Sequence, residues 1–324
     1  MKKIIIVFLS LQYFLHAFYS ETSVEECFSL VKENNESKKI CNDLEKQIEL
    51  YPRGESLKYN TNGHLNTTYI VLSGAGIDIN QSHEIAFCSE LPDDRKEFDA
   101  IYASIEELKN DKNDIYNRDL MEIIHSLHGG NQEAVYKRRE QLFRIIKDGY
   151  INKTLTNCQL GIVIHAYADS YSHTYNKKLH WWNFFSKKEE QAYGGNIGHL
   201  LHGVKPDIIA FYPNKFKKYV KKLYSIFRKN RKNNTEIKKF FTLIDKLKKH
   251  RQSAIFNMIG LAKEKGKFNA YWIADKTADE MENFSKKRFY SREEIQFARD
   301  KYLKSFGEEE MKELIEILKK ELKI

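Results

Sequence analysis

The sequence predicts a mainly α-helical protein, organised as a multi-helix bundle. Three observations carry that expectation. Only four prolines occur in 324 residues. The periodic segments are long and rich in Leu, Ile, Lys and Glu, and the strict apolar–polar alternation of a half-buried strand is scarce. With 41% hydrophobic and 31% charged residues, the chain has ample material for one large core or two smaller ones.

From the N-terminus, Lys2 and Lys3 precede an apolar run over 4–14 and the small residues Ala17 and Ser20, which is the pattern of a secretory signal over 1–20. The run is too short to span a bilayer comfortably, and the mature chain is expected to be secreted or periplasmic. Residues 21–73 are expected to form an N-terminal helical segment, in which Cys27 and Cys41 could tie two short helices together. These two, with Cys88 and Cys158, show no CxxC spacing and suit a structural role in an oxidising compartment.

Residues 74–225 are expected to form the core. A helix over 82–90 stops at Pro92 and delivers Asp93 and Asp94 at its end. A second, over 119–127, ends at Gly129-Gly130 with His125 in its last turn. A third covers 132–147. The fourth, over 156–173, is almost wholly apolar through Leu160, Ile162, Val163 and Ile164 before it turns polar. Residues 176–198, which include His180-Trp-Trp182 and Tyr193-Gly-Gly195, read as a long loop covering a site.

Residues 226–324 are expected to add helices that pack on this core. Phe216, Tyr219, Val220, Leu223 and Phe227, then Phe240, Ile244 and Leu247, mark two basic amphipathic helices with a turn at 228–235. Further helices follow over 291–304, opened by the capping box Ser291-Arg-Glu-Glu294, and over 309–322. Between Pro213 and Arg251 stand 15 Lys or Arg against Glu236 and Asp245, a local net of +13. Such a stretch fits either an anionic surface contact or a solvated charged face.

The chemically informative stretch is His165-Ala-Tyr-Ala-Asp169-Ser-Tyr-Ser-His173. Four-residue spacing puts His165, Asp169 and His173 on one helical face, where two imidazoles and a carboxylate can meet a divalent ion. Unpaired buried polar groups cost about 1–3 kcal/mol each, so this stripe needs partners. Ligands from other segments are expected to be His125, His199 and Asp207, with Asp93 or Asp94 as a bridging or catalytic carboxylate. Imidazole and carboxylate without thiolate suit zinc or another first-row ion with an open position, and hence phosphoester hydrolysis. His83, His128 and His202 read as supporting or surface groups, and His64, His180 and His250 have no companion residues. The chain has neither a Gly-rich phosphate loop nor a GxSxG nucleophile turn.

These residues resemble the zinc-dependent phospholipase C and single-strand nuclease superfamily. The resemblance covers about 74–224, through Ile85 to Asp94, Leu160 to His173 and Gly198 to Asp207, and is closest to a bacterial branch related to those enzymes. It implies one to three zinc ions, with His165, Asp169 and His173 as ligands and Asp169 bridging two ions. It further implies His125 and His199 as ligands and Asp93 or Asp94 as the carboxylate near the attacking water, with Asp93 preferred for that role and Asp94 as a ligand, and leaves Asp207 or His202 to complete the last motif. The implied substrate is a phospholipid or nucleic-acid phosphodiester.

Three departures from those enzymes are visible, one being a shorter gap from Asp169 to the next histidine. They ligate through a mature N-terminal Trp amine, whereas no Trp stands near Glu21, and the closing His-x3-Glu/Asp motif meets Gly203 here. The sequence thus leaves two readings open: an exported zinc-dependent hydrolase, or a secreted metal-binding or surface-interaction protein with a non-catalytic site on the same scaffold.

Overall fold

The computed structural model describes residues 60–100, 102–103, 114–178, 188–195, 209, 212–228, 235, 237–247 and 306–324. The signal segment, Cys27, Cys41, His180 to Trp182, His199, His202, Asp207 and the helix expected over 291–304 lie outside the described residues. Of the described residues 75% are helical and one small sheet accompanies them, so the protein is mainly α.

A π-helical turn, Asn60–Asn66, leads directly into α1 (Thr67–Ala75), which ends at Gly76 in the left-handed region. The domain boundary expected at 73/74 therefore falls inside a helix. α2 (Ile79–Cys88) begins three residues earlier than its apolar pattern suggests, because the Asp78 carboxylate accepts from the amides of Asn80 and Gln81. α3 (Leu91–Asp94) is a single turn with Pro92 near its start. α4 (Ile115–Asp119) continues as a second π-helical turn, Leu120–Ile124, and His125 follows it. α5 (Gln132–Asn152) is longer than expected.

α6 (Asn157–Ser172) is the central helix. Thr156 and Gln159 form a capping box at its start, and the chain is buried from Leu160 to Ser172 on all sides. A helix apolar all round must be enclosed, and α6 packs most extensively on α2 and α5. The Cys88–Cys158 disulfide ties α2 to α6 and closes a separation of 70 residues. In the chain-entropy picture a loop of that length is worth about 4 kcal/mol.

Gly161 lets these two helices approach closely. A Cβ there would lie 2.3 Å from the Ile85 carbonyl oxygen and 2.8 Å from Cys88 Cβ, and a backbone oxygen cannot swing aside as a side chain would. Gly161→Ala is accordingly expected to lower unfolding free energy by about 1–3 kcal/mol in denaturant titration. Wild-type stability in that variant would refute the tight contact.

After α6 the chain forms β1 (Thr174–Lys178) and β2 (Lys188–Ala192), an antiparallel pair in the register Thr174↔Ala192 to Lys178↔Lys188. Residues 176–178 and 188–192 of the loop expected over 176–198 are thus strand. Its strands are polar, so they lack the alternating pattern that would have marked them. α7 (Pro213–Phe227) packs against α1, α5 and α6, and residues 237–247 form the next helix, α8. The last helix, α9 (Glu308–Leu322), buries Met311, Leu314, Ile315, Leu318 and Leu322 against α5 and the turn before His125.

Candidate metal centre

Four segments bring five side chains to one buried point. α6 supplies His165 and Asp169, the turn after Leu120–Ile124 supplies His125, α3 supplies Asp93, and the first π-helical turn supplies His64. Both π-helical turns thus deliver a histidine to the cluster, as such irregular turns often do at functional sites.

The two carboxylates divide their oxygens between two sets of imidazoles. Asp169 Oδ2 lies 3.1 Å from His165 Nε2 and 3.4 Å from His125 Nδ1, while its Oδ1 lies 3.2 Å from His64 Nε2. Asp93 repeats the arrangement more loosely. Its Oδ1 is 3.7 Å from His125 Nδ1 and 3.9 Å from His165 Nε2, and its Oδ2 is 3.7 Å from His64 Nε2. The His64 and His165 rings stack at 4.0 Å between centroids.

Hydrogen bonds to the far ring nitrogens set the tautomers. His165 Nδ1–H donates to the Ser89 carbonyl at 2.9 Å, and His125 Nε2–H donates to the Phe98 carbonyl at 2.9 Å. Both rings therefore turn an unprotonated nitrogen inward, and these two nitrogens stand only 3.2 Å apart. Asp169 Oδ2 is buried there and accepts no hydrogen bond of normal geometry. Facing lone pairs beside two carboxylates require positive charge between them. A divalent ion meets that requirement, and both His64-His165-Asp169 and Asp93-His125-His165 are spaced to hold one.

The electrostatics divide the imidazoles: without a metal, His165 is drawn towards the charged form and His64 towards the neutral one. Burial disfavours charge on Asp169, yet the imidazoles of His173 and His165 outweigh it and hold the carboxyl well below its usual range. Burial likewise opposes charge on His165, but Asp169 and Asp93 raise its affinity for a proton. His64 moves the other way, lowered by burial and by His165, which favours the neutral imidazole a metal needs.

His173 is only partly where its spacing put it. α6 stops at Ser172, so His173 caps the helix instead of extending its stripe. Its Nδ1–H donates to the His125 carbonyl at 2.7 Å, Nδ1 stands 3.5 Å from Asp169 Oδ2, and His173 belongs to neither donor group. Ser126 makes this contact possible by adopting φ 53° immediately after His125, and its hydroxyl donates to the Ala166 carbonyl at 2.8 Å. Asp93 stands among the ligand groups, whereas Asp94, given a ligand role by the resemblance, belongs to neither donor group.

His64, set aside in the sequence because no companion residue lies near it, is a full member of the cluster. No local pattern in the sequence signals this placement. His128, in turn, is held to about 4 by burial and by Arg138 and Arg139, and its Nδ1 accepts from the Gly130 amide.

Behind the cluster, Arg139 of α5 secures the end of α6. Its Nε and Nη2 donate to the Ser170 carbonyl at 2.8 and 2.6 Å, and its Nη1 and Nη2 form a two-point pair with Glu190 of β2 at 2.8 and 2.9 Å. The guanidinium also lies 4.1 Å from the centre of the Tyr171 ring. Lys215 of α7 reaches Glu190 at 3.1 Å and donates to Thr174. The hairpin is thereby pinned beside His173, whose carbonyl accepts from the Tyr193 amide. Comparison with family models, curated proteins and solved structures finds no match to this chain.

Proposed function

We propose that the protein is a zinc-dependent phosphoester hydrolase of the phospholipase C or single-strand nuclease kind, acting outside the cytoplasm. The observation that carries this reading is the sharing of Asp93 and Asp169 between His64 on one side and His125 with His165 on the other. His64, His125, His165 and Asp169 would hold the metal, with Asp93 at the edge of the set. Imidazole and carboxylate without thiolate suit zinc or another first-row divalent ion, and the resemblance to the zinc enzymes selects zinc. When bound, such ions lower the pKa of water and stabilise negative charge developing on a phosphoryl group.

The chain's own residues would then do three things. Ser89 and Phe98 hold the tautomers of His165 and His125 through their carbonyls, so the inward nitrogens need no reorganisation. Asp169, fully enclosed, keeps the interior anionic and excludes water from the back of the site. Asp93 is 23% exposed and forms the solvent edge, so an incoming water meets its carboxylate, which orients it and takes its proton.

The test is metal analysis of the purified full chain followed by assay. The expected result is at least one tightly held divalent ion per chain and hydrolysis of a chromogenic phosphodiester that chelator abolishes and zinc restores. His64→Ala is expected to lose one ion equivalent and at least about a hundredfold in rate. Less than one ion per chain would remove the basis of the proposal. A zinc-loaded protein inert towards phosphodiester, phospholipid and single-stranded nucleic acid would instead establish the metal-binding role without turnover.

A further inference from the structure

The outer side of α7 and α8 is built differently from the rest of the surface. α7 contains five lysines and no acidic residue. Its apolar stripe of Phe216, Tyr219, Val220, Leu223 and Phe227 faces the core, which turns Lys218 and Lys221 outward. α8 runs antiparallel to it, since Lys217 pairs with Asp245 at 2.6 Å while the Lys221 ammonium lies over Phe241. Lys238 and Lys239 stand exposed on that helix. On the other flank α5 contributes Tyr136, 45% exposed, with the Lys218 ammonium 5.7 Å from its ring centre.

We propose that this face is a docking surface for anionic phospholipid bilayers. The proposal is independent of the metal centre and would hold for the metal-free protein. Two features favour lipid over nucleic acid. The cations are lysines, compact point charges suited to a diffuse anionic plane, without the planar fork with which arginine grips single phosphates. The two phenyl rings of the face are also already covered: Lys217 and Lys221 lie over Phe241, and Lys222 over Phe143. Rings so occupied offer no platform on which bases could stack. Tyr136 is the amphipathic ring that a headgroup layer accepts. Among the described residues no helix is long and apolar enough to cross a membrane.

Each lysine close to an anionic leaflet changes partitioning by about fivefold. The experiment is sedimentation of the full chain, in chelator to prevent hydrolysis, with vesicles of pure phosphatidylcholine or of phosphatidylcholine containing a third phosphatidylglycerol. Binding to the anionic vesicles is expected to be tighter by about tenfold or more, and to fall as salt rises from ~0.05 to ~0.5 M. Lys218→Gln, Lys221→Gln, Lys238→Gln and Lys239→Gln together are expected to weaken it about tenfold or more with an unchanged melting temperature. Equal binding to both vesicles, insensitivity to salt, or full binding by a folded quadruple variant would overturn the proposal. So would a single-stranded polynucleotide that binds more tightly than the vesicles through the same four lysines.

Discussion

Asp169→Asn is expected to abolish tight metal binding while leaving the helical fold in place. The substitution keeps the shape of the side chain and removes the negative charge that faces His64, His125 and His165 within 3.4 Å. Disturbing even a supporting hydrogen bond around a ligand costs up to about a hundredfold in affinity. Removing the carboxylate that faces all three imidazoles should cost at least that. A hundredfold loss corresponds to about 2.7 kcal/mol of metal-linked stability, so the rise in melting temperature that zinc produces in the wild type should largely vanish. Asp94→Asn, outside both donor groups, should retain the full zinc shift. An Asp169→Asn protein that keeps wild-type ion content and zinc stabilisation would exclude Asp169 as a ligand.

The contrast between Asp169 and His64 shows where sequence is legible. His165 and Asp169 are four residues apart on one helix, so their meeting follows from helical geometry alone, and a capped, apolar α6 made that helix plain. His64 reaches the same point across a sequence separation that no local pattern encodes. It sits in a π-helical turn after Asn60-Thr-Asn-Gly63, a stretch with no amphipathic period to reveal which way it faces. His173 shows the opposite failure. The same spacing extended α6 one residue too far, because its imidazole satisfies the His125 carbonyl and the chain leaves the helix to start β1. The mainly α class was readable because propensity and period agree over long segments. The hairpin was hidden because ion pairs and helix contacts, not its own alternation, hold it in place.

Arg139→Met is expected to produce the largest loss of stability outside the metal ligands. Truncating one partner of a buried ion pair strands the other, at a cost of about 3–5 kcal/mol. Lys215 remains 3.1 Å from Glu190, which points to the lower end of that range. Burial alone would raise the Glu190 carboxyl, yet hydrogen bonds and charge from Arg139, followed by Lys215, bring it down to about 2. Because its folded value lies below the unfolded one, the stabilisation is complete above the ordinary carboxylate range. It is lost as pH falls from about 4.5 towards 2. Measured on metal-free protein, the gap in melting temperature between wild type and Arg139→Met should therefore be wide at neutral pH and narrow on acidification. Adding Glu190→Gln to Arg139→Met should recover part of the loss at neutral pH, since no carboxylate is then left stranded. The loss should also be felt at the metal, because Arg139 holds the Ser170 carbonyl next to Asp169. Zinc affinity should fall in Arg139→Met at temperatures where the variant is still folded. A gap that stays constant with pH, or unchanged zinc affinity, would mean that Arg139 braces the hairpin without setting the end of α6.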